Sequence, residues 1–259
     1  MNAVHRVLDP GRPTPIPQRL CALAVMTKAP RAGQVKTRLT PPLTPTEAAE
    51  LNICFLRDTS AAIASAASEG RARGIAVYTP AGAEAAYTEI LPKEFELVPQ
   101  RGDAFGERLT LATQDLLALG FDSVCLINSD SPTVPQRAFA RAAQILSENE
   151  DGIVLGPSDD GGYYLIGLKK LHRSLFEGIS WSTEHVLEQT VERAQQIGLE
   201  IHLLPRWYDV DDRATLRRLC HEFFDENGSA PEAYPAPATR GYLEDLLKKE
   251  GRDRIWPNE

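Results

Sequence analysis

The chain has 259 residues, 42% of them hydrophobic and 25% charged, and a formal net charge of -8. That is enough chain for a large domain with its own core. The acidic balance excludes a general nucleic-acid binder, which needs a broad basic surface, and no apolar run approaches the roughly 18–20 residues that span a bilayer. The N-terminus lacks the apolar core of a signal peptide, so the expected location is cytoplasmic, with neither membrane nor nucleic acid as a partner. Cys21, Cys54, Cys125 and Cys220 are widely separated and mostly inside apolar runs. They read as small buried hydrophobes in a reducing compartment rather than as a disulfide framework or a zinc site.

Residues 1–19 hold Pro10, Pro13, Pro15 and Pro17 and read as a disordered leader. Leu20–Met26 is too short and too apolar for a helix of its own and reads as a buried strand. The loop after it carries Lys28, Arg31, Lys36 and Arg38 around Gly33, with no acidic residue between them. Four cations repel one another without an anion to share, so the loop suits a triphosphate or pyrophosphate; a solvated basic loop is the plainer alternative. Thr44 or Thr46 can cap a helix with Pro45 in its first turn and Glu47 beside it, running through Leu51, Phe55 and Ile63 toward Ser68. Gly74–Thr79 is a strand closed by Pro80, and Glu96–Pro99 is a short one after a weaker helical stretch.

Phe105–Leu119 reads as a helix, Ser123–Asn128 as a strand, and Pro135–Ser147 as a helix with arginines outward. Strands follow at Gly152–Leu155 and Tyr163–Leu168, then a helix over Thr183–Ile197, a strand over Leu199–Leu204 and a helix over Arg213–Phe224. This alternation predicts a three-layer α/β/α sandwich around a mostly parallel sheet, with ligands beyond the carboxyl ends of the strands. One domain is expected over 20–226. An extension over 227–259 follows, with a helix at Arg240–Glu250 packed back through Tyr242, Leu243, Leu246 and Leu247.

The chemistry gathers after the strands. Asp130, in Asn128–Pro132, either holds Mg²⁺ or Mn²⁺ through its oxygens or caps the next turn. Asp159, Asp160, Gly161, Gly162 and Tyr163 can serve a sugar, an acceptor or a metal, and a hairpin turn explains the same letters. Asp209, Asp211 and Asp212 form a third acidic group, with Asp211 in a capping place. Arg101–Leu109 opens a helix whose Gly102 and Gly106 amides can meet a base or phosphate. Ser180–His185, with Ser182 and Thr183, is either an acceptor loop or an ordinary helix start. There is no G-x-S-x-G elbow, no H-E-x-x-H and no Walker lysine motif.

Taken in order, the K-T-R-L at Lys36–Leu39, the P-P-L-T-P-T-E after it, the SDSP at Ser129–Pro132, the DDGG at Asp159–Gly162 and the YDVDD at Tyr208–Asp212 resemble the 2-phospholactate guanylyltransferase group. More narrowly the chain resembles the DUF2064 family, also called rSAM/selenodomain-associated transferase 1, of the glycosyltransferase-A (GT-A) superfamily. The resemblance implies a nucleotide-diphospho-sugar transferase fold over about residues 20–225. It implies a nucleotide site of Lys28, Gly33, Lys36, Arg38, Gly102, Asp103, Gly106 and Glu107, a metal held by Asp130 and Asp211, and an acceptor side of Gly161, Gly162, Tyr163, Ser182 and Thr183. Lys36, Arg38 and Asp160 would be the catalytic residues. The favoured expectation is Mg²⁺- or Mn²⁺-dependent nucleotidyl transfer from a nucleoside triphosphate to a small phosphorylated acceptor. Glycosyl transfer from a nucleotide sugar is the alternative, and a nucleotide-binding protein without turnover the second one. A homodimer is the partner state left open.

Overall fold

The computed structural model describes residues 5–12, 16, 19–68, 71–148, 151–225, 228 and 232–255. Seven strands form one sheet: β1 (Cys21–Lys28), β2 (Ala72–Thr79), β3 (Glu96–Pro99), β4 (Ser123–Ile127), β5 (Ile153–Pro157), β6 (Tyr163–Leu168) and β7 (Ile201–Leu203). Their order across the sheet is β3-β2-β1-β4-β6-β5-β7, and only β6 runs against the rest. β5 and β6 are joined by the short loop 158–162, which can close a hairpin but is too short for a parallel crossover. The hairpin reading of that loop is therefore right. Because β6 opposes both β4 and β5, β5 points the same way as β1 and β4, so loop 158–162 still lies at the carboxyl edge.

β1 shows why the sheet is central. Cys21, Leu23 and Val25 face one side and pack with Leu56 and Ile63 of α1 (Pro45–Ala67) and Phe139 of α3 (Gln136–Glu148). Ala22 and Ala24 face the other and pack with Leu109 and Leu116 of α2 (Phe105–Ala118) and Ala194 of α4 (Val186–Gln196). A strand apolar on both faces must be covered on both, which makes the three layers. All four cysteines are buried and free, and Cys21 and Cys125 lie with sulfurs 3.7 Å apart across neighbouring strands.

A third core sits beside the layers. The outer side of α1, through Leu51 and Phe55, packs with α5 (Arg213–Phe224), α6 (Pro237–Glu250) and Ile255 of the short α7 (Arg252–Ile255), and the same cluster holds Leu39 and Leu43 of the basic loop. α1 starts with a full capping box in which Thr44 and Glu47 exchange hydrogen bonds, with Pro45 in the first turn. α6 starts differently: the buried carboxylate of Asp58, on α1, accepts from the amides of Ala238 (3.0 Å) and Thr239 (2.7 Å). One helix thus caps another from the side, satisfying donors that would otherwise be unpaired.

Three elements differ from the sequence reading. The stretch expected to be a disordered leader includes residues 5–8, which lie along β3. Val7 bridges Leu97, and Leu97 exchanges backbone bonds of 2.8 Å with Arg6 and Leu8. An edge strand with unpaired amides accepts such a neighbour readily; Pro13, Pro15 and Pro17 lie outside the described residues. The helix expected from Thr183 begins at Val186, because the Thr183 hydroxyl donates to the Ser180 carbonyl at 2.7 Å and Ser182 takes a φ of 63°. The helix expected at Arg240 begins at Pro237, and the boundary drawn at Asn227 also falls outside the described residues. No helix among the described residues is long and apolar enough to cross a membrane.

Candidate active site

The basic loop, the β4 exit, the β5–β6 turn and the segment after β7 meet at the carboxyl edge of the sheet. One backbone bond fixes the central pair: the Val210 amide donates to the Asp130 carbonyl at 2.8 Å, which sets Asp130 beside Asp211. Between them lies Lys36, held at a left-handed φ of 48° just before a short 3₁₀ turn at Thr37–Leu39. Its ammonium is 2.6 Å from Asp130 Oδ1, 2.8 Å from Asp211 Oδ1 and 2.9 Å from the Val210 carbonyl, which uses all three of its protons. The Lys36 side chain is only 5% exposed. Burial alone would lower its pKa, yet the two carboxylates outweigh burial and raise it, so it stays charged.

Capping falls to a different residue from the one expected. Asp212 is the N-cap of α5 and shares a capping box with Thr215, which leaves Asp211 free to face Lys36. Asp209 organises the loops from beneath. Its Oδ1 accepts from Asn128 Nδ2 at 2.7 Å and from the Ser131 hydroxyl, and its Oδ2 accepts from Ser158 Oγ at 2.8 Å. Removal from water pushes the Asp209 carboxyl up to about 6, with the charges of Asp130 and Asp160 adding to the rise against the bonds from Ser131 and Ser158. The sequence reading grouped Asp209 with Asp211 and Asp212 but gave it no role; the serines at 131 and 158 that identify it are scattered along the chain.

Two adjoining cavities open here. The smaller, of 360 Å³, is lined by Lys28, Lys36, Arg38, Arg108 and Gln100 and reaches Asp130 and Asp211. The larger, of 630 Å³, runs from Arg38, Asp130 and Asp211 past Asp160, Gly162 and Tyr163 to Trp181, Ser182, Thr183 and Glu184. Phe105 lines both, is 51% exposed, and meets Trp181 edge to face at 5.0 Å. Lys36, Asp130, Asp211 and Asp160 therefore share one edge of the sheet. Asp160 also shapes its own turn, accepting from the Gly162 amide at 2.9 Å.

Other expected residues stand elsewhere. A Cβ on Gly106 would lie 2.5 Å from the Phe176 carbonyl and 2.6 Å from Trp181 Nε1, so this glycine allows helix packing rather than approach to a ligand. Gly102, Asp103 and Glu107 serve one another: Glu107 lies over Gly102 and accepts from the Asp103 amide at 2.8 Å. The wall expected from them is supplied by Phe105 and Arg108, whose side chains the sequence does not distinguish from other exposed helix residues. Gly161 sits with its Cα against the Glu184 backbone, where a Cβ would come within 2.1 Å of that carbonyl, and accepts from the Leu187 amide at 2.8 Å. It positions the larger cavity's wall from behind. Gly33 takes a φ of 74° in open space, and Lys28 donates to the Gln34 carbonyl at 3.3 Å, steadying the loop.

The residues suit a hard divalent cation. Asp130 and Asp211 already converge on one cationic point, and their side chains are 34% exposed, which leaves room for water and phosphate oxygens. Among the described residues no group of three or more His, Cys, Asp or Glu forms a metal cage. Two carboxylates with the remaining ligands from substrate is the arrangement that Mg²⁺ tolerates and a closed structural site does not.

Fold and cleft define a class, the α/β fold of nucleotide-diphospho-sugar transferases. A solved structure of a candidate nucleotide-diphospho-sugar transferase from Desulfovibrio desulfuricans G20 is 29% identical, with a TM-score of 0.75 covering 89% of this chain and 97% of that one. A cytidylyltransferase from Leptospira borgpetersenii shares the fold at 9% identity, with a TM-score of 0.50 over 92% of this chain and 98% of that one. Within the class, residues 62–183 match the family DUF2064, described as an uncharacterized protein conserved in bacteria. The match takes in the SDSP and DDGG loops, while KTRL and YDVDD lie outside it. No curated protein matches the chain.

Proposed function

We propose that this chain is a divalent-metal-dependent transferase that holds a nucleotide donor in the smaller cavity and an acceptor in the larger. The observation that carries the proposal is the convergence of Asp130 and Asp211 on a single buried cation, with Lys28, Arg38 and Arg108 lining the cavity beside it. Such a centre sets cationic side chains beside two carboxylates able to hold a metal, the combination of groups that a metal-bound diphosphate needs. Mg²⁺ or Mn²⁺ between the two carboxylates would supply positive charge to the phosphate oxygens of the leaving group. Lys36 would turn from the carboxylates to the donor phosphates, and Arg38, at the junction of the cavities, would follow the charge as it develops. Asp160, exposed where it lines the larger cavity, would take a proton from an attacking hydroxyl.

The transferred group is read as a sugar. The likeness at 29% identity to a candidate nucleotide-diphospho-sugar transferase supports a nucleotide-sugar donor, from which a nucleoside diphosphate leaves as the acceptor oxygen bonds to the sugar. Nucleotidyl transfer is the second reading, favoured by the cluster of Lys28, Lys36, Arg38 and Arg108, which would also neutralise a departing pyrophosphate. The test incubates the protein and Mn²⁺ with panels of nucleotide sugars and nucleoside triphosphates, following thermal shift and the released product. Stabilisation by nucleotide sugars with nucleoside diphosphate release supports the first reading. Stabilisation by triphosphates with pyrophosphate release replaces it by the second. Stabilisation without turnover under any donor leaves a nucleotide-binding protein, and no stabilisation overturns all three.

A further inference from the structure

The charges around the 630 Å³ cavity are unevenly distributed. Asp130 and Asp211 share the one ammonium of Lys36, which offsets one of their two charges and engages both carboxylates, and Asp209 is bound to Asn128, Ser131 and Ser158. That leaves Asp160 and Glu184 on the far wall. Asp160 accepts a backbone bond and has no lysine or arginine partner among the described residues, and Glu184 has only His185, at 3.8 Å. Arg38 is the one lysine or arginine side chain among the described residues that lines the cavity, and it stands at the end that joins the donor cleft. The rest of the wall is uncharged, with Ile166, Val186, exposed Phe105 and half-buried Trp181 beside the hydroxyls of Ser182 and Thr183.

From this we infer that the acceptor is an uncharged or cationic molecule with an apolar or aromatic portion and a reactive hydroxyl or amine, and that a phosphorylated acceptor is rejected. The inference rests on the transferase reading above, whose acceptor this cavity would hold. A phosphate entering the cavity would face the negative charges of Asp160 and Glu184 and gain no lysine or arginine of its own, since the reading above assigns Arg38 to the donor. A neutral hydroxyl can instead donate to Asp160, and an ammonium can pair with Asp160 or Glu184 while a ring rests against Phe105 and Trp181. The phosphorylated acceptor expected from sequence followed from the resemblance to guanylyltransferases, whereas the basic loop, read as a cradle for donor phosphates, lines the smaller cavity and gives the larger one only Arg38.

Three matched probes test this: p-nitrophenyl β-D-glucoside, 2-(4-nitrophenyl)ethylamine and p-nitrophenyl phosphate. Each is titrated into the full chain with Mn²⁺ and a nucleoside diphosphate present, and binding is read as quenching of Trp181 fluorescence, with Trp181→Phe as the control that locates the signal. The glucoside and the amine are expected to bind and the phosphate to bind at least tenfold more weakly, a difference of about 1.4 kcal/mol. Glu184→Lys should narrow the gap; if that variant does not fold, Glu184→Gln should narrow it to a smaller degree. Phosphate binding as tight as the glucoside's, quenching that persists in Trp181→Phe, or failure of both the glucoside and the amine to bind overturns the inference. Thermal stabilisation by the diphosphate is recorded on the same samples. Its absence alongside intact probe selectivity counts against the transferase reading and still supports the cavity's preference.

Discussion

Replacing Lys36 by methionine keeps most of the side chain's bulk and deletes the ammonium that Asp130 and Asp211 share at 2.6 and 2.8 Å. Sheltered charge-assisted contacts are worth about 1.5–3 kcal/mol each, whereas exposed pairs bring at most about 1 kcal/mol. The lysine is 5% exposed and its partners 34%, so the pair of contacts falls between these limits. A total of about 2 kcal/mol is a fair working value. A metal binding the two carboxylates must displace that ammonium, so the variant should bind Mn²⁺ about thirtyfold more tightly without nucleotide, at 1.4 kcal/mol per tenfold. The same substitution should weaken nucleotide binding, because the cation that would turn to the phosphates is gone. Opposite signs for metal and nucleotide separate this coupling from general damage. The assay is calorimetric titration of Mn²⁺ into the wild type and the variant, with and without a nucleoside diphosphate, after cooperative unfolding is checked for both. An Mn²⁺ affinity unchanged or weakened in a cooperatively folded variant refutes the reasoning.

Asp130→Asn keeps the shape and removes one metal-binding charge, so Mn²⁺-dependent nucleotide stabilisation should vanish while the metal-free Tm stays within a few degrees; a retained Mn²⁺ response in calorimetry would remove Asp130 from the metal centre. Asp58→Ala strips the cap of α6 and leaves the half-buried Ala238 and buried Thr239 amides unpaired, which should cost about 1–3 kcal/mol in urea unfolding. A loss under about 0.5 kcal/mol, the ordinary surface value, would show the cap to be unimportant. Glu47 supplies a pH dependence. Burial tends to raise its pKa, but Arg254 and the Thr44 amide prevail and hold it below the ordinary 4.5. Its contribution is thus complete above pH 4.5 and lost as pH falls through the lower folded value. Hydrogen exchange around α7 should accelerate in that acid window for the wild type, and Glu47→Gln should show fast exchange at neutral pH as well; equal exchange for both at pH 7 would dismiss the clasp.

The succession of strands and helices along the chain was legible because each element carries its own signal. Thr44, Pro45 and Glu47 announce α1, and the two-sided apolar run of Cys21–Val25 announces a covered strand. The reversal of β6 was not legible in YYLIGL itself, since an apolar strand reads alike in either direction; it follows only from the shortness of loop 158–162. Residues 5–8 escaped because nearby prolines outweighed the short Val7–Leu8 segment that β3 recruits. At the candidate site, Lys36, Asp130 and Asp211 could be picked out as charged residues following strands. The resemblance already singled out Asp211; the physical reason for it over Asp209 and Asp212 is that Thr215 engages one neighbour and Ser131 and Ser158 the other, which the letters alone do not show. Arg108 carries no local signature, and Trp181 and Glu184 fall within a stretch, Ser180–His185, that reads equally as an acceptor loop or a helix start. Their importance comes from which cavity the surrounding elements turn them toward.

Leu39 and Leu43 of the basic loop share a core with Leu243 and Leu246 of α6, and Asp58 reaches across 181 positions to cap that helix. On a ribosome adding about 5–20 residues each second, the loop emerges some 10–40 s before the helix that holds it. During that interval the sheet face of α1 can already settle on β1, while its outer face and the loop remain exposed to water. The cleft therefore matures late, and a nucleotide would meet an ordered loop only after the C-terminal helices have docked. A truncation before Pro237 should then leave the sheet able to form and the loop without its packing partner, so that a change far from the cleft acts on it through time of assembly as well as through contact.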